Sequence, residues 1–172
     1  MSGAPIRVPR FFSRRRTGGG FSLVEAVMVI AIAGALISLT VLRFRPLDVQ
    51  SYQQADGLRN DLRHMQMLAI TWGQPLRLTP AAGSYSVACV SAGVVPCNVS
   101  PVIDPATAKS FSVTLQTGLT LTGPGFNLDF DALGRPKNGA ALTTTNSTFT
   151  ISGGANVPSV VVSPTTGFAV VQ

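Results

Sequence analysis

RRRTGGGFSLVEAVMVIAIAGALISLTVLRF, residues 14–44, decides how the chain is read. Three arginines and three glycines lead into an apolar run that holds one ionisable side chain, Glu25. From Phe21 to Leu42 there are 22 residues with that single charge, enough to cross a bilayer as a helix rising about 1.5 Å per residue. The arginines before it keep the leader cytoplasmic, so the rest of the chain is expected to be exported. A permanent anchor satisfies this pattern, and so does a secretory signal cut after Ala33-Gly34-Ala35. Neither accounts for Glu25, because an acidic side chain at the centre of a membrane helix costs roughly 2.5–3.5 kcal/mol and still costs something nearer one end. A cut between Gly20 and Phe21 supplies a reason. The new α-amino group would stand at the tip of an apolar helix, where Glu25 of a neighbouring copy could neutralise it. Such a pair favours assembly in register, and an unpaired carboxylate penalises anything else.

A basic leader ending in Gly20, then Phe21-Ser22-Leu23-Val24-Glu25 and an apolar helix, resembles the class III leader of type IV pilins and type II secretion pseudopilins. The resemblance implies that prepilin peptidase cuts after Gly20 and methylates the amine of Phe21, and that Glu25 is the assembly residue. It also implies a subunit held in the inner membrane of a Gram-negative-type bacterium, with a periplasmic C-terminal domain. Such a subunit is drawn into a helical filament by packing of its N-terminal helix. Helices in lipid pack by close fit, and Ala31, Ala33, Gly34 and Ala35 supply the small residues.

The formal charge of +6 raises the question of nucleic acid, but its distribution answers most of it. Five of thirteen basic residues (Arg7, Arg10, Arg14, Arg15, Arg16) lie in the first twenty positions, whereas from Phe21 onward eight basic residues face seven acidic ones. The basicity therefore belongs to the leader. Aromatics are scarce, so the core is expected to be built of Val, Leu, Ile and Ala.

Beyond the apolar run, Pro46 is expected to kink or break the helix. Tyr52, Ala55, Leu58, Leu62, Met65, Ala69 and Trp72 then recur at spacings of three and four, an apolar stripe suited to packing on a sheet, until Gly73 and Pro75 end the helix. His64, the single histidine, is expected at the surface or boundary. After Pro75 the period changes to two. Leu76–Leu78 and Tyr85–Cys89 flank a turn at 79–84, and further strands are expected at 111–115, 126–130, 148–151, 160–162 and 168–171, the last two forming a hairpin over 163–167. The whole is an α+β, pilin-like fold: a leader (1–20), a membrane or filament-core helix (21–42), an amphipathic continuation (43–75) and a β-rich domain (76–172), with the long helix on one antiparallel sheet.

Cys89 and Cys97 enclose a turn containing Gly93 and Pro96. Export favours a disulfide over free thiols, and zinc is disfavoured because two cysteines and one distant histidine do not make a tetrahedral site. The residues from Leu68 to Leu78 resemble the helix–strand junction of GspH/FimT-type minor pilins, and Phe130-Asp131-Ala132-Leu133-Gly134-Arg135-Pro136 resembles that group's Phe-x-x-x-Gly-Arg-Pro turn. Val162–Phe168 is similar to the terminal hairpin of minor pilins in mannose-sensitive haemagglutinin pili. Gly134 and Gly167 are also what tight turns need for backbone reasons.

The leading expectation is a structural subunit, a minor pilin or pseudopilin that primes or caps a filament, with other pilins as partners and no cofactor. A DNA-uptake pilin is the alternative, resting on Arg135 and Lys137. An enzyme would have to build on Asp129 and Asp131 as a carboxylate pair or calcium site, and the chain offers no nucleophile–base arrangement beside them. The Ser/Thr-rich stretch 142–150 is expected as an exposed loop or edge strand, a place for contact with a neighbour.

Overall fold

The structure, a computed structural model, describes residues 22–41, 46–93 and 95–172 in two units that divide near residue 44. The Gly20–Phe21 junction lies outside the described residues. In the first unit, helix α1 (Leu23–Val41) opens with Ala26 donating to the Ser22 carbonyl at 3.1 Å. Leu23, Val24, Val27, Met28, Val29, Ile30, Ile32, Leu36 and Ile37 are each more than half exposed, so the helix presents apolar side chains all round. Among the described residues no helix is long and apolar enough to cross a membrane, and the 22-residue run read from the sequence includes Phe21 and Leu42, which are not described.

The second unit begins with α2 (Pro46–Trp72), about 40 Å long at 1.5 Å per residue. Proline suits this first position because its missing N–H would have no helical partner there. The buried stripe runs Ser51, Ala55, Leu58, Leu62, Met65 and Ala69, with Leu68 beside it. Tyr52, expected in the stripe, is 46% exposed, because a step of four back from Ala55 lands on Ser51. Trp72 is only half-buried against the core. At the C-terminus Gln74 donates to the Ala69 carbonyl at 3.2 Å and Gly73 to that of Ile70 at 3.3 Å, the paired bonds that close a helix end.

Where one sheet was expected there are two, with a small third. The larger is ordered β5 (Ser112–Thr114), β2 (Ser84–Cys89), β1 (Leu76–Ala81), β7 (Leu128–Phe130), β8 (Pro136–Asn138), β9 (Ala141–Leu142). The second is ordered β12 (Ala169–Val171), β11 (Ser159–Val162), β10 (Ser147–Ser152), β6 (Thr120–Thr122), and β3 (Ile103–Asp104) pairs with β4 (Lys109–Ser110) apart from both. All pairings are antiparallel. The first hairpin is tighter than read: Ala81 pairs with Ser84, leaving two residues for the turn. The Ser/Thr-rich stretch is not a free edge, since β10 lies between β11 and β6, and Thr143 and Ser147 are buried.

The stripe of α2 packs against β1 and β7 of one sheet and β10, β11 and β12 of the other. Its side chains meet Leu76, Leu78, Leu128 and Phe130 from the first and Phe149, Ile151, Val160, Val162 and Ala169 from the second in one apolar cluster. Cys89 and Cys97 are joined by a disulfide, their Cα atoms 5.5 Å apart, which closes the base of the segment leaving β2. Loop-closure entropy predicts that replacing both cysteines with serine lowers unfolding free energy by about 2–3 kcal/mol. Urea titration of the full chain in detergent measures this, and an unchanged midpoint would show that the bridge constrains nothing.

Candidate functional site

The two glycine turns singled out in the sequence meet at one side chain. Gln66, one turn along α2 from Leu62, donates from Nε2 to the Gly134 carbonyl at 2.6 Å and to the Thr166 carbonyl at 2.8 Å. Both turns need a left-handed residue, with φ of +75° at Gly134 and +69° at Gly167, and both approach too closely for a side chain. A Cβ on Gly134 would stand 2.7 Å from Ile70 Cδ1; one on Gly167 would stand 2.6 Å from Phe130 Cε1. Arg63 completes the seat by donating from Nη2 to the Ala169 carbonyl at 2.8 Å, with its guanidinium 4.8 Å from the centre of the Phe168 ring. Arg63, Gln66 and Ile70 thus hold the end of β7 and the β11–β12 hairpin on one stretch of helix.

Asp129 and Asp131 do not form the pair that a carboxylate site requires. Asp129, almost wholly buried, accepts from Arg77 Nε at 2.7 Å and Nη2 at 2.8 Å, a bidentate bond across the β1–β7 register. Asp131 lies past the end of β7 and organises its turn, accepting from the Leu133 and Arg135 N–H groups at 3.0 and 2.9 Å and from Arg135 Nε at 2.9 Å. Burial works against its charge, but those N–H groups and the guanidinium hold it below the usual carboxylate range. Arg135, one of the two cations on which a nucleic-acid surface would rest, is committed to this turn.

His64 is a boundary residue as read, but it has a partner that the sequence did not reveal. Its Nε2 lies 2.8 Å from Asp104 Oδ1, and its ring centre 5.7 Å from that of Phe111. One turn back, Asp61 accepts from the Tyr85 hydroxyl at 2.6 Å. Burial raises Asp61 above the ordinary carboxylate value, and burial with the neighbouring Asp61 raises Tyr85. At the start of α2, Asp48 Oδ1 accepts from the Ala155 and Asn156 N–H groups at 2.6 and 3.2 Å, pinning the loop after β10. Among the described residues no group of three or more His, Cys, Asp or Glu is placed to hold a metal ion. An open groove of about 500 Å³ between the tip of the β1–β2 hairpin and β6 is lined by Pro80, Leu121, Phe126 and hydroxyl or amide groups, with no ionisable side chain.

Glu25 stands in the first turn of α1, three residues after Ser22. That is the spacing of a capping box, and a carboxylate there also suits the positive end of the helix dipole. A local reason for its position therefore exists beside the intermolecular one. Gln66, Arg77, Asp48 and Asp104 were not singled out from the sequence, since these partners lie 40 to 108 residues away; only Asp104, followed by Thr107, carried a local turn signal.

A single long helix seated on antiparallel sheets, with its last turns holding a Gly-Arg-Pro turn and a C-terminal hairpin, defines a pilin-type subunit. Residues 54–166, about two thirds of the chain, match the family model of the type II transport protein GspH, and the chain belongs to that family. It is a GspH/FimT-type minor pilin or pseudopilin. No curated protein sequence matches it. Among solved structures it is similar in fold to the type IV minor pilin FimU of Pseudomonas aeruginosa, with a TM-score of 0.51, 13% identity, and coverage of 73% of this chain and 88% of FimU.

Two consequences can be measured by urea unfolding of the full chain. Gln66→Leu strands two carbonyls and is expected to cost about 2–3 kcal/mol. Gly167→Ala forces a left-handed alanine against Phe130 and is expected to cost about 2 kcal/mol or more. Because both act on one contact, the double variant should lose less than the sum; full additivity would separate the two sites. Arg77→Met leaves Asp129 buried and uncompensated, at about 3 kcal/mol, whereas Asp129→Asn leaves an arginine that water still reaches and is expected to cost less. The reverse order would show that the bond is not controlled by burial of the acid.

Proposed function

We propose that this chain is a minor pilin or pseudopilin subunit that primes or caps a type IV pilus or a type II secretion pseudopilus. Prepilin peptidase cuts it between Gly20 and Phe21, residues 21–42 hold it in the inner membrane, and Glu25 pairs with the new amine of a neighbouring subunit as it enters the filament. The observation that carries this reading is α1: an apolar helix, exposed from Leu23 to Ile37, with one carboxylate in its first turn. Such a helix is stable only in lipid or among other apolar helices. Heterologous packing of it builds an open filament, consistent with membership of a family of filament subunits. The second unit supports a structural role, because Asp61, His64, Arg77, Asp104, Asp129, Asp131 and Arg135 are engaged in holding its elements and turns together.

The test is the intact mass and N-terminal sequence of the chain from membranes, with and without prepilin peptidase. A peptidase-dependent chain starting at methylated Phe21 is expected. A chain starting at Met1 or Ser2 in both cells would indicate a plain anchor, and one starting at Leu36 a secreted domain. Glu25→Gln should still be processed and held in membranes but be missing from sheared filaments; normal recovery there would leave Glu25 with only its helix-capping role.

A further inference from the structure

Two loops meet the second unit where α2 begins, and neither carries a charge. Asp48 Oδ1 accepts from the Ala155 and Asn156 N–H groups, and a Cβ on Gly118 would stand 3.7 Å from Leu47 Cδ2, so both loops lie against the first turn of the helix. Gln116-Thr117-Gly118 and Gly153-Gly154-Ala155-Asn156-Val157 contain no ionisable side chain. The one carboxylate at this end, Asp48, is occupied by the loop amides. Val49 and Tyr52, three apart on the helix, and Val157, which follows Asn156, are each about half exposed. This end of the unit therefore shows three large apolar side chains in an uncharged polar surround.

We infer that this end of the unit docks on an anionic bilayer surface, with Val49, Tyr52 and Val157 entering the headgroup layer. The inference rests on the membrane reading of residues 21–42 and adds which part of the folded domain meets the lipid. Chain length is the first argument. Four residue steps separate Leu42, the end of the apolar run, from Pro46, so even a fully extended link lets α2 start no more than about 14 Å away. The headgroup layer is itself about 5–8 Å deep on each side of the hydrocarbon, so the first turn of α2 is confined close to it. Three side chains alone make a weak anchor, but the tether turns their contact into an intramolecular one at an effective concentration on the order of millimolar. Charge is the second argument. Arg43 and Arg45 stand in the link, no acid lies between Glu25 and Asp48, and guanidinium groups at a membrane surface are drawn to anionic lipid phosphates. The third is chemical type: Tyr52 combines an apolar ring with a hydroxyl, the combination that settles at a lipid–water boundary, and the loops beside it present amides and hydroxyls that headgroups can bond.

Tryptophan quenching in vesicles tests the docking. The full chain is reconstituted into equal parts phosphatidylethanolamine and phosphatidylglycerol, with Trp72→Phe removing the single native tryptophan and one new probe introduced at a time. The probe sites Ile32, Tyr52, Leu133 and Val157 are all about half exposed or more, so the larger ring has room, and Tyr52 and Val157 report from separate elements. Lipid brominated next to the headgroup is expected to lower the emission of Tyr52→Trp and Val157→Trp by about twofold or more, and to leave Leu133→Trp, beside the Gly134 turn near the other end of α2, nearly unchanged. Exchanging phosphatidylglycerol for phosphatidylcholine should restore about half of the lost emission, and unchanged quenching there overturns the part given to anionic lipid. Ile32→Trp, read with lipid brominated deeper in the chain, reports on the apolar run itself. Quenching of Ile32→Trp without quenching of Tyr52→Trp and Val157→Trp overturns the docking and leaves the membrane anchor standing; no quenching of Ile32→Trp overturns both. Equal quenching of Leu133→Trp and Val157→Trp also overturns it, because the unit would then turn no particular end to the lipid. So does an unquenched blue shift that grows with the protein-to-lipid ratio, which would place a second copy of the chain on the patch.

Discussion

One apolar edge of α2 has to satisfy two sheets that share no ladder with each other. Ser51, Ala55, Leu58, Leu62, Met65 and Ala69 fill the angle between them, and small residues at both ends of the stripe let the sheet strands come close. The larger sheet presents Leu76, Leu78, Leu128 and Phe130, and the smaller one Phe149, Ile151, Val160 and Val162. Without the helix, each sheet would expose an apolar face with nothing to bury it. The domain is therefore organised around the helix more than around either sheet.

Polar bonds decide where along that edge each element sits, a choice the hydrophobic effect, being non-directional, leaves open. Asp48 fixes the loop after β10 at the first turn, and Asp61 and His64 fix β2 and β3 in the middle. Arg63, between them, fixes β12, and Gln66 one step further on fixes the turns at Gly134 and Thr166. All of these residues flank the buried stripe, so the same helix carries a packing edge and, beside it, a row of positional markers. Family membership and the fold shared with a minor pilin agree with this arrangement, in which Asp48, Asp61, Arg63, His64 and Gln66 each tie another element to the helix.

What the sequence disclosed followed from range. The helical stripe and the Gly-centred turns are local, and each was legible from a few adjacent residues. The exception inside the helix, Tyr52, shows the tolerance of such patterns: neighbouring residues one step apart both fit spacings of three and four, and only packing chose Ser51. Strands β3, β4, β6, β8 and β9 run for two or three residues, too short to display a period of two. The division into two sheets was invisible because it is a matter of register. The same holds for Arg77 and Asp129, which are opposite one another only once β1 and β7 are aligned. Asp129 and Asp131 looked like a pair because spacing alone puts them on one side of a strand, but β7 ends at Phe130.

The reach of Gln66 also imposes a timetable. It contacts Thr166 across a separation of 100 residues, which ribosomes take about 5–20 s to add. Through that interval α2 is complete while β11 and β12 do not exist, and the part of its stripe that they cover has no partner. The helix is thus the first part of the domain to be made and among the last to be buried. A chain of this design relies on being kept from wrong partners while its final strands emerge, and shortening it at the far end by a few residues acts on the helix made at the beginning.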